Sequence, residues 1–473
     1  MDHETNKDIP QAEPLSEIVR VCEAQRRFFK EGETTSHNFR IGQLKQLRKL
    51  ITENEQEILA ALKADLQKPA YEAYASEVGF LIQEINHALK NLRSWMKPNR
   101  VNTGVLSMPS RSRVIPEPKG VCLIIAPWNY PFQLVLAPAV AALAAGNTVI
   151  LKPAEQTPVT ANLLARLMGE YFKPEVVKVT LGDGAQVIPT LMEEFRFDHV
   201  FFTGSPAVGR KVAQQAAEKL VPVTLELGGK NPCVVDGSAS LKVAARRILF
   251  GKFLNAGQTC IAPDYLLVHQ DIAEKFTERL KQTLDEFYPH GALRDENYSG
   301  IVDTRHFDRM LQYLQDGDII YGGEYNREEL RMAPVLLRPY SLDTGLMKNE
   351  IFGPILPVLT YRSLEEAREI ILRNPQPLSL YYFGKDQKNE SFFTRSIQAG
   401  GVAVNNTVIH FVNSELPFGG IGGSGYGSYH GHWGFRNFSH FKAVLRSANW
   451  LDPVLKYPPY PKILLKAVKA LMR

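Results

Sequence analysis

Up to about Pro98 the apolar positions recur at helical spacing. Leu44, Leu47, Leu50, Ile51, Ile58, Leu62 and Leu66 keep close to a period of about 3.6 residues, and Pro69 helps end the run. This predicts a helical N-terminal segment. Residues 101–118 are instead rich in Ser, Arg, Pro and Val with no helical period, which predicts a loop or an extended arm. From Val121 the pattern changes to short continuous apolar runs at 121–126, 148–151, 176–181, 199–203 and 221–225, separated by helix-like stretches. Such runs imply strands buried on both faces, and the helices between them imply crossovers, so a parallel sheet is expected.

A second region of the same kind follows, with a strand at 231–235, a helix at 241–254 and a strand at 265–268. Asp271 is then expected to cap a helix on which Ile272, Phe276, Leu280, Leu284 and Phe287 share one face. The fold class is α/β. Near the C-terminus, Tyr457-Pro458-Pro459-Tyr460-Pro461 is stiff and leads into a short helix. Lys462, Lys466, Lys469 and Arg473 share one face of it, and Ile463, Leu464, Val468, Leu471 and Met472 cover much of the rest. Two readings stand: a helix docked on its own body or on a partner subunit, and a basic helix making peripheral membrane contact.

Composition narrows the class. A chain of 473 residues exceeds one ordinary core, so two or three domains are expected. Its 44% hydrophobic and 22% charged content is that of a soluble globular protein. The net charge of +5 is small and spread along the chain, which argues against a nucleic-acid partner. The apolar stretch 134–151 is broken by Pro138, Gly146 and Asn147, so no membrane span of roughly 18 residues is expected. Cys22, Cys122, Cys233 and Cys260 form no C-x-x-C pair, and the polar N-terminus does not read as a secretory signal, so the cytoplasm is expected. The histidines show no ligand spacing, and no metal site is expected.

The candidate chemistry lies at strand ends and glycine turns. Cys260 closes Asn255-Ala256-Gly257-Gln258-Thr259-Cys260, and Glu226 lies upstream in Leu225-Glu226-Leu227-Gly228-Gly229-Lys230. Taken singly, Cys260 reads equally as a buried small hydrophobe or a nucleophile, and Glu226 as a salt-bridged strand-end carboxylate or a base. Cys122 and Cys233 lie in apolar runs and read as core. Phe201-Phe202-Thr203-Gly204-Ser205-Pro206-Ala207-Val208-Gly209 runs from a strand into a helix start that can hold phosphate, but its spacing is not G-x-G-x-x-G. Asn129 in Pro127-Trp128-Asn129-Tyr130-Pro131 can donate to an oxyanion or simply build a turn. Lys152-Pro153-Ala154-Glu155, Glu350-Ile351-Phe352-Gly353-Pro354 and Pro417-Phe418-Gly419-Gly420 read singly as structural turns or charge pairs.

In chain order the sequence carries PWNYP, KPAEQTP, FTGSPAVG, LELGGK, NAGQTC, EIFGP and PFGG. This ordered set resembles the NAD(P)-dependent aldehyde dehydrogenase superfamily over nearly the whole chain. The segments SYHG at 428–431 and FSH at 438–440, with the YPP tail, resemble its class 3, or fatty aldehyde dehydrogenase, branch. The resemblance implies a Rossmann-like parallel-sheet cofactor domain from 1–98 and 119–226 and a second α/β catalytic domain from 227–421. It also implies a small oligomerisation arm and tail from 99–118 and 422–473, building a homodimer.

The resemblance also implies roles. Cys260 would attack the aldehyde, with its oxyanion held by the Asn129 side chain and the Cys260 backbone N–H. After hydride loss to the cofactor, Glu226 would activate water to hydrolyse the thioester. Lys152 and Glu155 would meet the adenosine ribose. Gly204, Ser205, Val208 and Gly209 would meet the pyrophosphate, and Glu350 and Phe352 the nicotinamide ribose. Ile125 and Trp128 would line the cofactor cleft, and Phe418 the substrate tunnel. The aldehyde would be medium- or long-chain aliphatic, or aromatic. Glu155 near the ribose disfavours a 2′-phosphate, so NAD is expected, with NADP admitted because Lys152 offsets the charge.

Three other readings are weaker. A CoA-acylating relative would lack the base, a retired binding protein would lack nucleophile, base or Asn, and a cysteine hydrolase would need a histidine in these motifs.

Overall fold

The structure, a computed structural model, describes residues 14–104, 107–452, 454, 457–460 and 462–472. The polar N-terminal octet and Arg473 of the basic tail lie outside the described residues. The predicted apolar runs form a sheet in the spatial order Val177–Val179, Thr148–Lys152, Val121–Ile125, His199–Gly204, Val223–Leu227, all parallel. Every residue of Val121–Ile125 and Thr148–Lys152 is buried, as strands covered on both faces require. In chain order the first strand lies in the middle. The chain steps outward on one side of it, then returns to lay the fourth strand on the other. Ile125 pairs with Phe202 at the carboxyl end of this switch point, where open α/β sheets leave a ligand crevice. A short strand, Gly425–Tyr426, closes the far edge antiparallel to Val223–Leu227 and sets Gly425 opposite Glu226.

The second sheet has the order Gly317–Tyr321, Val335–Pro339, Ile355–Tyr361, Tyr265–His269, Pro232–Val235, Ser379–Phe383, Gly401–Val404. It is parallel except for its first strand. A third, antiparallel sheet joins Asn99–Val101, Ser110–Pro118 and Ser439–Ser447. The stretch read as a loop or arm is thus an extended ribbon paired with a segment more than three hundred residues away.

The apolar stretch 134–151 is interior. Helix Gln133–Ala145 is buried at every position, and the following strand Thr148–Lys152 is buried too. Gly146, at φ +91°, makes the turn between them. Among the described residues no helix is long and apolar enough to cross a membrane.

Two local expectations are corrected. The helical run through Leu44 and Leu66 is two helices, His37–Glu53 and Glu55–Leu66, broken at Asn54. The Asn54 side chain donates to the Leu50 carbonyl at 2.8 Å, a local bond that competes with helix continuation. Asp271 does not cap the helix Ala273–Phe287; it lies inside a short 3₁₀ turn, and the His269 imidazole accepts its N–H at 3.4 Å.

Candidate active site

The loop before Cys260 is held in a conformation few side chains adopt. Asn255, Ala256 and Gly257 are all left-handed, with φ of 53°, 51° and 77°. The Gln258 side chain locks the loop: its amide donates to the carbonyls of Asn255 (3.0 Å) and Gly300 (2.8 Å), and its oxygen accepts Val302 N–H at 3.0 Å. Asn255 donates to the Asn129 carbonyl at 2.9 Å. Asn231 donates to the carbonyls of Cys260 (2.7 Å) and Ala262 (3.0 Å). The thiol is therefore positioned by side chains from several segments.

Cys260 is the one cysteine that is not fully buried; Cys22, Cys122 and Cys233 are core residues. Burial, together with the carboxylates of Glu350 and Glu226, pushes its thiol up to about 12, while the amides of Cys260 and Ile261 oppose the shift. Glu226 ends its strand opposite Thr203 and is buried, and neither carboxylate oxygen has a protein partner. Desolvation holds its carboxyl well above the usual range.

Two cavities meet at this pair. One is a tight apolar pocket of about 50 Å³ that includes Leu254, Val408, Phe411 and Phe418. The other is a cleft of about 930 Å³ that includes Trp128, Asn129, Gly204, Ser205, Glu350 and Phe352. Cys260 and Glu226 line both. Asn129 is buried beside them, with one amide N–H donated to the Gln258 carbonyl at 3.0 Å, which fixes its plane and leaves the second N–H to donate.

The cleft wall is also built. Trp128 meets Phe352 edge-on at 5.4 Å and His306 at 5.3 Å. The His306 imidazole approaches the Phe352 carbonyl at 2.6 Å, and Arg309 donates to the carbonyls of Glu350 (3.2 Å) and Ile351 (3.0 Å). The Glu350 carboxylate accepts Gly229 N–H at 3.2 Å, and a Cβ on Gly228 would lie 2.0 Å from it, so a side chain there would push the carboxylate from this position. Burial, reinforced by Asp264, raises its carboxyl to about 8. Ser205 caps the helix Pro206–Glu218, accepting Val208 N–H at 3.4 Å beside the cleft.

Other singled-out residues sit farther from the junction. Ile125 is buried in the core at its strand end. Lys152 bonds its own neighbour Pro153 (2.7 Å) and Glu155 (3.2 Å), and Glu155 also accepts Gly184 N–H at 3.3 Å. Gly209 is a packing glycine, since a Cβ there would lie 2.8 Å from Leu227, while Val208 is exposed.

Several contributors carried no sequence signal. Lys68 forms a buried ion pair with Glu77 and donates to the Asn129 carbonyl at 3.0 Å. Glu77 accepts the N–H groups of Phe132 (2.9 Å) and Gln133 (3.2 Å), anchoring the helix that follows PWNYP. Asp264 pairs with Lys230 and accepts Ile351 N–H at 2.9 Å, tying the LELGGK turn to the Glu350 loop. Lys68 and Glu77 lie in a helical stretch with no motif around them. Asp264 lies just past the NAGQTC loop, outside the motif.

The family model described as "Aldehyde dehydrogenase family" matches residues 2–444. Aldehyde dehydrogenase family 3 member H1 of Arabidopsis thaliana is 42% identical over 94% of this chain and 93% of its own. A dimeric, NADP-preferring aldehyde dehydrogenase of Canis lupus familiaris is 40% identical over 94% of this chain and 98% of its own. The solved structure "Substrate bound state of Staphylococcus Aureus AldH" superposes with a TM-score of 0.93 at 43% identity, covering 96% of this chain and 99% of that one.

Proposed function

The chain belongs to the aldehyde dehydrogenase family, an oxidoreductase acting on aldehydes, and from that premise we propose how its own residues oxidise an aldehyde to a carboxylic acid. The observation that carries the reading is the junction itself: one thiol and one partnerless buried carboxylate shared by an apolar pocket and a polar cleft.

The aldehyde enters by the apolar pocket. The Cys260 thiol gives up its proton to water in the cleft, and its sulfur bonds the carbonyl carbon as the C=O π pair moves onto oxygen. The second N–H of Asn129 and the backbone N–H of Cys260 hold the resulting oxyanion. A nicotinamide dinucleotide in the cleft supplies the hydride acceptor, which no side chain can be. Cys260 then holds the acyl group as a thioester. Glu226 takes a proton from water as the water oxygen bonds the acyl carbon. The carbon–sulfur bond breaks, the acid leaves, and Glu226 returns its proton to the Cys260 sulfur.

The cleft suits the dinucleotide: it opens at the switch point, Gly204 and Ser205 bring a capped helix N-terminus to it, and Trp128 and Phe352 wall it. Lys152 and Glu155 face the adenosine ribose, and Glu155 favours NAD while Lys152 keeps NADP admissible. Glu350 and Phe352 hold the second ribose, Val208 and Gly209 complete the turn at the pyrophosphate, and Ile125 backs the cleft floor. Phe418 and its apolar neighbours select a medium- or long-chain aliphatic, or aromatic, aldehyde.

The cofactor and catalytic domains follow the two sheets, and the ribbon of 99–118 with the stretch from 422 makes a homodimer. The helix Lys462–Leu471 exposes Ile463 and Leu465 beside Lys466 and Lys469. Co-sedimentation with anionic vesicles decides between membrane and partner contact.

The test is Cys260→Ser. The variant is expected to lose NAD(P)H production from every aldehyde to below about one part in a thousand of the parent rate. Substantial dehydrogenase turnover in that variant would overturn the mechanism.

A further inference from the structure

The apolar pocket beyond Cys260 contains a buried imidazole that makes no close hydrogen bond within the protein. His430 is 2% exposed, and neither Nδ1 nor Nε2 makes a hydrogen bond of ordinary length and angle in the protein. Burial lowers its pKa from 6.5, while Glu84 and a loose hydrogen bond to the Phe411 backbone oppose the shift, so the ring is neutral at pH 7 and keeps one donor, loosely held by Phe411, and one acceptor with no donor facing it.

Most other polar groups of the pocket have partners, Tyr429 and Gln133 being bonded to each other. The Ser76 hydroxyl donates to the Glu72 carbonyl at 2.6 Å, and the hydroxyls of Tyr130 and Thr259 meet at 2.6 Å. Thr203 and Glu226 lack partners too, but they also line the cleft and belong to the reacting centre. His430 lines the apolar pocket and not the cleft.

The fold holds this ring in place against backbone strain. His430 has φ +75°, uncommon for a residue with a Cβ. The next residue is pinned: Gly431 N–H donates to the Glu84 carboxylate at 3.0 Å, and Ser414 bonds the same carboxylate. On the other side, Tyr429 exchanges two backbone hydrogen bonds with Phe418 at 2.8 and 3.1 Å. The imidazole then lies over Phe418 at 5.1 Å and 22° and against Phe80 at 5.2 Å. A buried polar group is normally satisfied, and one fixed this firmly into a substrate pocket is satisfied by what enters it.

We propose that His430 recognises a hydroxyl or keto oxygen carried on the chain of the aldehyde, remote from the reacting carbonyl, so that oxygen-bearing aldehydes are preferred over plain alkanals. This rests on the aldehyde-oxidising reading above. A site built to hydrogen-bond a substrate oxygen discriminates against the analogue lacking it far more strongly than an apolar wall discriminates by size.

The experiment uses the full chain and an aldehyde series of one length: the plain alkanal, and analogues with a hydroxyl or a keto group moved carbon by carbon. The wild type is expected to show kcat/KM at least about tenfold above the alkanal at one position of the oxygen. In His430→Phe, which keeps a flat ring and removes both nitrogens, the ratio should fall to near one. The ratio is internal to each protein, so a general loss of activity does not imitate the effect. A measurement on the wild type alone stands beside the variant. The ring ¹⁵N signals of His430 should shift with the hydroxy- or keto-acid product and stay put with the plain acid. No preference at any position, a preference that survives His430→Phe, or equal shifts with both acids would overturn the proposal. If no aldehyde at all is oxidised, the underlying activity falls instead.

Discussion

Glu226 shows how one residue can be legible in type and illegible in state. Its place at an apolar strand end before two glycines marked it as special. Only the structure shows that both oxygens are buried without a partner and that desolvation raises its pKa. A raised carboxyl is a stronger base when ionised, which hydrolysis of a thioester requires. Glu226→Gln is expected to keep a first-turnover burst of reduced cofactor near one per site while steady-state turnover falls about 10²–10⁴-fold, read by stopped-flow absorbance. The same shift has a stability consequence. The folded protein holds this proton more tightly than the unfolded chain does. Stability is therefore lost as pH rises above the unfolded value of about 4.3 and on toward the raised folded value. Glutamine has no proton to lose, so the melting-temperature advantage of Glu226→Gln over the parent should grow between pH 5 and pH 8 in a thermal-shift series. A difference flat across that range would remove burial as the source of the shift.

The element that makes Cys260 a site is the turn before it, and here the sequence carried the residues but hid the geometry. Gly257 was readable as a loop glycine. Nothing in Asn255 and Ala256 announced that they share its left-handed backbone, because that conformation is held by Gln258, which is itself anchored to Gly300 and Val302 in a segment distant in sequence. The Lys68–Glu77 pair is hidden for the same reason: its meaning is the distant PWNYP turn it grips. By contrast, strand existence in the first sheet was legible from apolar runs alone, since burial on both faces leaves no polar alternation to confuse. Gly257→Ala tests the turn. Its Cβ would lie 2.2 Å from the Gly353 carbonyl oxygen at a φ of +77°, so the loop must shift. Displacing a nucleophile by about 1 Å costs on the order of a hundredfold, so kcat/KM should fall by at least that much. The strain should also destabilise the fold by about 1–3 kcal/mol, seen in thermal unfolding. Near-normal kinetics would show that the left-handed turn is not what places the thiol.

At the scale of the whole molecule, the first sheet and two strands of the second were legible in the apolar pattern, but the other five strands of the second and the pairing of the C-terminal segment were not. A ribbon of Ser, Arg and Pro has no period of its own. Its structure comes from Ser439–Ser447, residue against residue from Ser110 with Ser447 to Pro118 with Ser439. Among the described residues, that pairing leaves Ser439–Ser447 as a long edge strand with no strand on its outer side. Phe441 and Leu445, four residues apart and so on one face of the strand, are both exposed in the single chain. Long exposed edges with apolar side chains are sites of strand pairing or protein contact unless something covers them. The second copy of the chain proposed above would meet that need. The double variant Phe441→Asp with Leu445→Asp puts two carboxylates on that face without touching either sheet of the active-site region. It is expected to sediment as a monomer at concentrations where the parent sediments as a dimer. Two forms that sediment alike as dimers would move the interface away from this strand, and a parent that is itself monomeric would leave the edge to another partner.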